Sequence, residues 1–234
     1  MERRRFVTAC AALGAGSAVA GLSSAWAAAA PRLYTRARLV DEHGEPIKCG
    51  RMLPRTNYVF NYPYAATPCF LLDLGHPVAA ADHLLRADGA EYAWNGGVGA
   101  KRSVVAFSAI CAHKLAYPTR EVSFIRFQPI RSPTSDGDVI HCCADHSVYD
   151  PAAGARVVSG PAPQPLAAIV LDYDAGSDEV SALGTVGAEQ FEAFFRKYDF
   201  KLAMDYGPGK ARVPVGSSTV VRPLTEYCRQ TIQC

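Results

Sequence analysis

The chain has 234 residues, 49% of them hydrophobic and 20% charged, with a formal net charge of +2. That length accommodates one core with extensions, and the near-neutral charge gives no footing for nucleic acid. With 19 glycines and 16 prolines among short β-branched runs, the composition predicts an all-β, loop-rich fold.

Residues 1–30 stand apart from that fold. Arg3, Arg4, Arg5 and Phe6 precede a weakly apolar Ala/Gly stretch that ends in Ala25-Trp26-Ala27. A charged start, an apolar middle and an A-x-A end make an export signal. The arginines followed by Phe6 resemble a twin-arginine signal, a route that carries folded proteins. Cleavage is expected after Ala27, giving a periplasmic protein. Left uncleaved, Phe6 to Ala30 is long enough to anchor the chain in a membrane. Cleavage leaves Cys49, Cys69, Cys111, Cys142, Cys143, Cys228 and Cys234. Cys228 with Cys234, or Cys49 with Cys69, are plausible bridges in an exported chain.

Residues 31–56 are polar and basic and read as an extended lead-in. Residues 57–75 alternate aromatic and aliphatic residues with proline breaks, ending in the buried strand CFLLDLG. Residues 76–89 read as a short helix or loop, followed by Tyr92-Ala93-Trp94 and a glycine turn. Lys101 to Ile110 form a strand that delivers Cys111. Residues 121–130 alternate at period two, and Val139-Ile140 form a strand that delivers His141-Cys142-Cys143. PLAAIVLDYD and EVSALGTVG flank Gly176 as a hairpin. Residues 189–200 carry the clear helical pattern, with Phe191, Phe194, Phe195 and Tyr198 on one face. That face is expected to pack on the chain's own sheet. The tail to Cys234 reads as polar and irregular.

Two cysteine–histidine clusters carry the chemistry. The first is ICAHKLAYP, with Cys111 and His113. The second is HCCADHSVYD, with Cys142 or Cys143 and His146. Each pairs a thiol with an imidazole on a loop leaving a strand, and such donors suit zinc or an iron–sulfur cluster.

The order Cys-x-His, then Cys-x-x-His, followed by SVYD and SGPAPQPL, resembles the Rieske iron–sulfur family. The resemblance runs from about Ser103 to Val186. The second loop is most similar to the small subunits of arsenite oxidases, then to cytochrome bc iron–sulfur subunits. It implies an antiparallel β-sandwich over 31–188 with two cluster-binding loops at one tip, and a C-terminal helix and tail over 189–234. It also implies one 2Fe–2S cluster held by two cysteines and two histidines. Cys111, His113, Cys143 and His146 fit Cys-x-His and Cys-x-x-His. The alternative is Cys142 with a bulge in the loop. A gapless count back from Ser147-Val148-Tyr149-Asp150 gives Cys142 but puts Asp145 at the histidine position. Ser147 and Tyr149 stand where the family places hydroxyl donors to the cluster sulfurs. The disulfide that ties the two loops together in many members would begin at Ala116, and no cysteine is there. Glu121 to Asp138 reads as an insertion that extends a hairpin.

By resemblance, the chain passes single electrons as a carrier or small subunit of a larger oxidoreductase, towards a cytochrome c or cupredoxin. His113 and His146 are the expected entry points. A quinol-oxidising subunit of a bc-type complex is the rival, and requires the N-terminal segment to be retained as an anchor. A structural zinc domain with the same ligands is the rival of another kind. His43, His76 and His83 lack cysteine neighbours and read as surface residues, and no serine sits in a nucleophile elbow.

Overall fold

The computed structural model describes residues 30–234, so the expected export signal, up to residue 29, lies outside the described residues. In chain order the strands are β1 (Arg32–Val40), β2 (Tyr58–Asn61), β3 (Pro68–Asp73), β4 (Ala81–Leu85), β5 (Glu91–Trp94), β6 (Val104–Ser108), β7 (Val122–Ser123), β8 (Ile125–Gln128), β9 (Val139–Cys142), β10 (Ser147–Asp150), β11 (Arg156–Ser159), β12 (Ala168–Asp174) and β13 (Glu179–Val186). Helices α1 (Phe191–Lys197) and α2 (Asp199–Tyr206) follow, then β14 (Ser218–Val220), β15 (Arg222–Pro223), α3 (Leu224–Tyr227) and β16 (Gln230–Thr231).

The main sheet has eight strands in the order β14-β1-β13-β12-β6-β3-β2-β15. Its two edge strands are consecutive in the chain, separated only by Val221. One short segment therefore pairs with β1 on one side and β2 on the other, and the sheet curls towards closure. The Thr219 hydroxyl donates to the Asn61 carbonyl at 2.9 Å across that seam. Pairing both edges hides backbone groups that would otherwise template aggregation.

Alternation along the strands divides the sheet between two cores. Cys69 and Leu71 of β3 and Val104 and Ala106 of β6 face one core with Phe60, Tyr62 and Val180. Phe70 and Leu72, with Val105 and Phe107, face the other. Side chains on a strand alternate faces, so Cys69 to Leu72 are apolar at every position because both faces are covered. The second core is shared with a smaller four-stranded sheet of order β11-β10-β9-β8, through Ile125, Phe127, Ile140 and Tyr149. The predicted all-β architecture of antiparallel sheets thus holds, with β8 and β9 forming the hairpin that the insertion extends.

Three local expectations are corrected. The polar lead-in contains β1, which turns only Ala37, Leu39 and Val40 fully inward and exposes most of the rest. A strand with one wet face carries too few apolar residues to announce itself. Residues 76–89 contain a strand rather than a helix: β4 pairs antiparallel with β5. The tail is ordered, because β14 and β15 complete the main sheet and β16 pairs in parallel with β7. Those strands are two or three residues long, too short to show a period.

The predicted helix runs on past 200 as two helices that meet at Tyr198, whose backbone leaves the helical region. The buried face of α1 is the phenylalanine face, as predicted. Phe194 and Tyr198 meet the ring of Tyr117 edge-on, at 4.8 and 4.9 Å between centroids. Tyr117 follows the first cluster loop, so α1 packs behind that loop.

Candidate metal centre

Cys111 lies three residues beyond β6, on a loop that turns back at once. The Cys111 N–H donates to the Ala116 carbonyl at 2.9 Å, and the Leu115 N–H donates to the Cys111 carbonyl at 3.0 Å. Cys111 is fully buried, whereas the His113 side chain retains 37% exposure. The loop therefore presents a buried sulfur and an exposed imidazole two residues apart.

Cys142 ends β9 and β10 begins at Ser147, with the two residues paired across the hairpin. Between them the chain makes one tight turn, closed by the His146 N–H donating to the Cys142 carbonyl at 2.7 Å. His146 closes it with a positive φ of 60°, a region that histidine enters more readily than most residues. The Asp145 carboxylate points inward and accepts from the Ser147 N–H at 3.0 Å.

These two loops bring Cys111, Cys142 and Asp145 together, with donor atoms all within 4.8 Å of one another. Cys111 Sγ lies 3.3 Å from Asp145 Oδ2 and 3.4 Å from the Tyr149 hydroxyl. The Tyr149 oxygen also accepts from the Ala112 N–H at 3.1 Å, which pins the second loop to the first. His113 Nδ1 approaches Asp145 Oδ2 at 2.9 Å.

Cys143 does not face this group. Its sulfur is bonded to Cys234, so the expectation of Cys143 beside Cys111 is corrected in favour of Cys142. Neighbouring residues on a strand point to opposite sides, and only one of the two sulfurs can face the first loop. The bridges expected between Cys228 and Cys234, or between Cys49 and Cys69, are also absent, and Cys49, Cys69 and Cys228 are buried free thiols. His146 also lies away from Cys111. Its ring lies edge-on to His141, and a ring nitrogen lies within 4.8 Å of a His141 nitrogen and the Cys234 sulfur. Ser147 and Tyr149 are both fully buried, and the Tyr149 hydroxyl lies against Cys111 and Ala112.

The electrostatics suit a thiolate site. The Cys111 thiol is pulled down to about 7, chiefly by hydrogen bonding from Cys142, against the cost of burial, with help from the Tyr149 hydroxyl and the His113 and Lys114 amides. Cys142 moves the other way because it shares its proton with Cys111. Burial raises the Asp145 carboxyl, but the Ser147 amide and contacts with Cys142, Cys111 and His113 outweigh it and hold it below the usual range. Burial pushes the Tyr149 phenol up, so it stays a donor.

The donor set fits a mixed thiolate–imidazole cluster on its sulfur side. Two converging thiols would hold one iron. The Ser147 hydroxyl is buried without any hydrogen-bond partner among the described residues, and buried hydroxyls are rarely left so. A cluster sulfur is the kind of acceptor it lacks. Gly160 admits the covering segment 159–166 close to the loop: a Cβ there would lie 2.4 Å from the His146 carbonyl oxygen.

No family model matches this chain. Among solved structures, it is similar to the soluble domain of the Rieske protein II (soxF) from Sulfolobus acidocaldarius. The identity is 30% over 56% of this chain and 68% of that chain. The chain belongs to the Rieske family. The superposition on that Rieske protein is loose, with a TM-score of 0.44, so membership rests on the identity and its coverage. As a Rieske-type electron-transfer protein, the chain departs from its family at two places. Cys143 is bonded to Cys234, and Asp145 rather than His146 lies beside Cys111 and His113. The gapless count from Ser147-Val148-Tyr149-Asp150 gave Cys142 as the alternative, and the Cys-x-x-His spacing favoured Cys143 over it. Nothing in the local sequence pointed to Cys234, which is 91 residues from its partner.

Proposed function

We propose that this chain is an exported Rieske-type electron-transfer protein with one 2Fe–2S cluster. It works as the small subunit or soluble partner of a larger periplasmic oxidoreductase of the arsenite oxidase kind. The observation that carries the reading is the convergence of Cys111, Cys142 and the Tyr149 hydroxyl beneath an exposed His113. Cys111 and Cys142 would hold one iron, and His113 would ligate the other. Bound there, a cluster with mixed ligation takes up and returns one electron at a higher potential than an all-thiolate one.

The protein's own part is to shape that exchange. Tyr149 donates to the Cys111 sulfur, and the His113 and Lys114 amides face the same atom. Such donors favour added negative charge. The buried core beneath the loops keeps water from the sulfur side, while the half-exposed His113 ring offers the shortest path to a docked partner. Electrons then leave towards a cytochrome c or cupredoxin.

Export is supported by the Arg3 to Ala27 signal pattern and by the Cys143–Cys234 disulfide, since such bonds persist in oxidising compartments. No helix among the described residues is long and apolar enough to cross a membrane. Sequencing the mature N-terminus separates the two electron-transfer readings. A start near Ala28 supports the soluble partner, and retention of Phe6 to Ala30 favours a membrane-held quinol-oxidising subunit.

Low-temperature EPR of the dithionite-reduced protein, with metal analysis, tests the cluster. The expected result is a rhombic signal with iron and acid-labile sulfide in equal amounts. Cys142→Ser abolishes that signal and Cys143→Ser leaves it in place. Zinc without any signal sinks the electron-transfer reading and leaves a structural scaffold.

A further inference from the structure

We propose that the fourth cluster ligand is the carboxylate of Asp145, so that the outer iron is held by one imidazole, His113, and one carboxylate. The inference rests on the cluster reading above and goes beyond it, because the family's ligand set has two histidines.

The first support is register. Cys142 pairs with Ser147 and Ile140 pairs with Tyr149 across the hairpin. That register sets the Tyr149 hydroxyl on Cys111 and Ala112. Counted from Cys142, the residue at the ligand spacing is Asp145. Moving His146 into its place would shift the turn by one residue. A one-residue slip sends every following side chain to the opposite face, and Tyr149 would lose both contacts.

The second support is burial. The Asp145 side chain is only 3% exposed although it sits at a loop tip. A buried carboxylate is costly unless it is paired or bound to a metal. Among the described residues no lysine or arginine forms an ion pair with it, and its one ionic partner is His113. Its neighbours are the Ser147 amide, His113 Nδ1 and the two thiols. Two sulfurs and a carboxylate oxygen within 4.8 Å of one another, with His113 Nδ1 2.9 Å from that oxygen, form a donor group of the kind that holds a metal.

The third support is the placement of His146. Its ring is turned to His141 and to the sulfur of Cys234. Cys234 is covalently joined to Cys143, which fixes that side of the turn. An anionic oxygen in place of a neutral imidazole adds negative charge to the centre, so it takes up an electron less readily than a centre with two imidazoles.

Nitrogen counting tests the assignment without any partner enzyme. Pulsed EPR of the reduced full-length protein reads the number of strongly coupled ligand nitrogens. The expected count is one in the wild type, unchanged in His146→Ala. In Asp145→His the count rises to two and the midpoint potential shifts upward. Two couplings in the wild type, one of them lost in His146→Ala, overturn the Asp145 assignment while leaving the cluster reading intact. Absence of any 2Fe–2S signal overturns both.

Discussion

At the scale of single residues, the site depends on hydroxyls that a sequence motif can name but cannot aim. Tyr149 touches both the Cys111 sulfur and the Ala112 amide. Tyr149→Phe keeps the ring in its core and removes the hydroxyl, with its contact to the Cys111 sulfur and its acceptor for the Ala112 N–H. A hydrogen bond of this kind contributes about 1 kcal/mol, which for one electron corresponds to about 40 mV. The expected outcome is a midpoint potential lower by tens of millivolts, read by a redox titration, with about 1–3 kcal/mol of stability lost as the Ala112 N–H loses its acceptor. An unchanged potential would mean that Tyr149 is packing alone. Ser147 was legible in the sequence in the same way. Its burial without a partner was not, because that depends on what the folded loops place around it.

At the scale of elements, the two loops are tied to each other by hydrogen bonds rather than by a disulfide, and are braced from behind. Ala116 stands where a loop-to-loop disulfide would begin. In its stead Cys143 bonds to Cys234, and α1 packs on Tyr117 beyond the first loop. Cross-linking residues so far apart removes about 4–5 kcal/mol of chain freedom from the unfolded state in the entropy model, with measured losses of about 2–5 kcal/mol. Cys234→Ser is therefore expected to lower stability by that amount in urea unfolding while keeping the 2Fe–2S signal. Loss of the signal would show that the tether sets the ligand geometry itself. Phe194 is fully buried against Tyr117 and Tyr198. Phe194→Ala should cost about 3–5 kcal/mol, measured by the same unfolding curves. The helix face was legible because three phenylalanines and a tyrosine recur at helical spacing. The β4–β5 hairpin was not, since β4 is mostly exposed and carries little alternation.

At the scale of the whole molecule, three buried free thiols set an alkaline limit. Burial pushes Cys49 and Cys228 up to about 12 and raises Cys69 as well. An unfolded thiol titrates near about 8.5. Because the folded values are raised, this stabilisation is fully present below about pH 8.5. It is lost as pH climbs towards 12, where the unfolded chain sheds protons that the native chain keeps. Each thiol contributes a slope of about 1.4 kcal/mol per pH unit in that window. Unfolding free energies measured between pH 8 and pH 10.5 should therefore fall steeply. A flat profile would show that these thiols are not buried in solution.

By itself the sequence determined the all-β class, the two cysteine–histidine loops that follow strands, and the buried face of the C-terminal helix. These are local signals: short spacings, alternation within a strand, and a period within a helix. Tertiary structure alone decided which of two adjacent cysteines faces the first loop, that the other reaches Cys234, and that Asp145 rather than His146 lies beside His113. Each of those outcomes depends on hairpin register and on chain segments far apart in sequence. Reading the spacing Cys-x-x-His favoured Cys143 with His146. The pairing of Ser147 with Cys142 and the anchoring of Tyr149 on Cys111 outweighed it, because slipping the strand by one residue would turn its buried face outward.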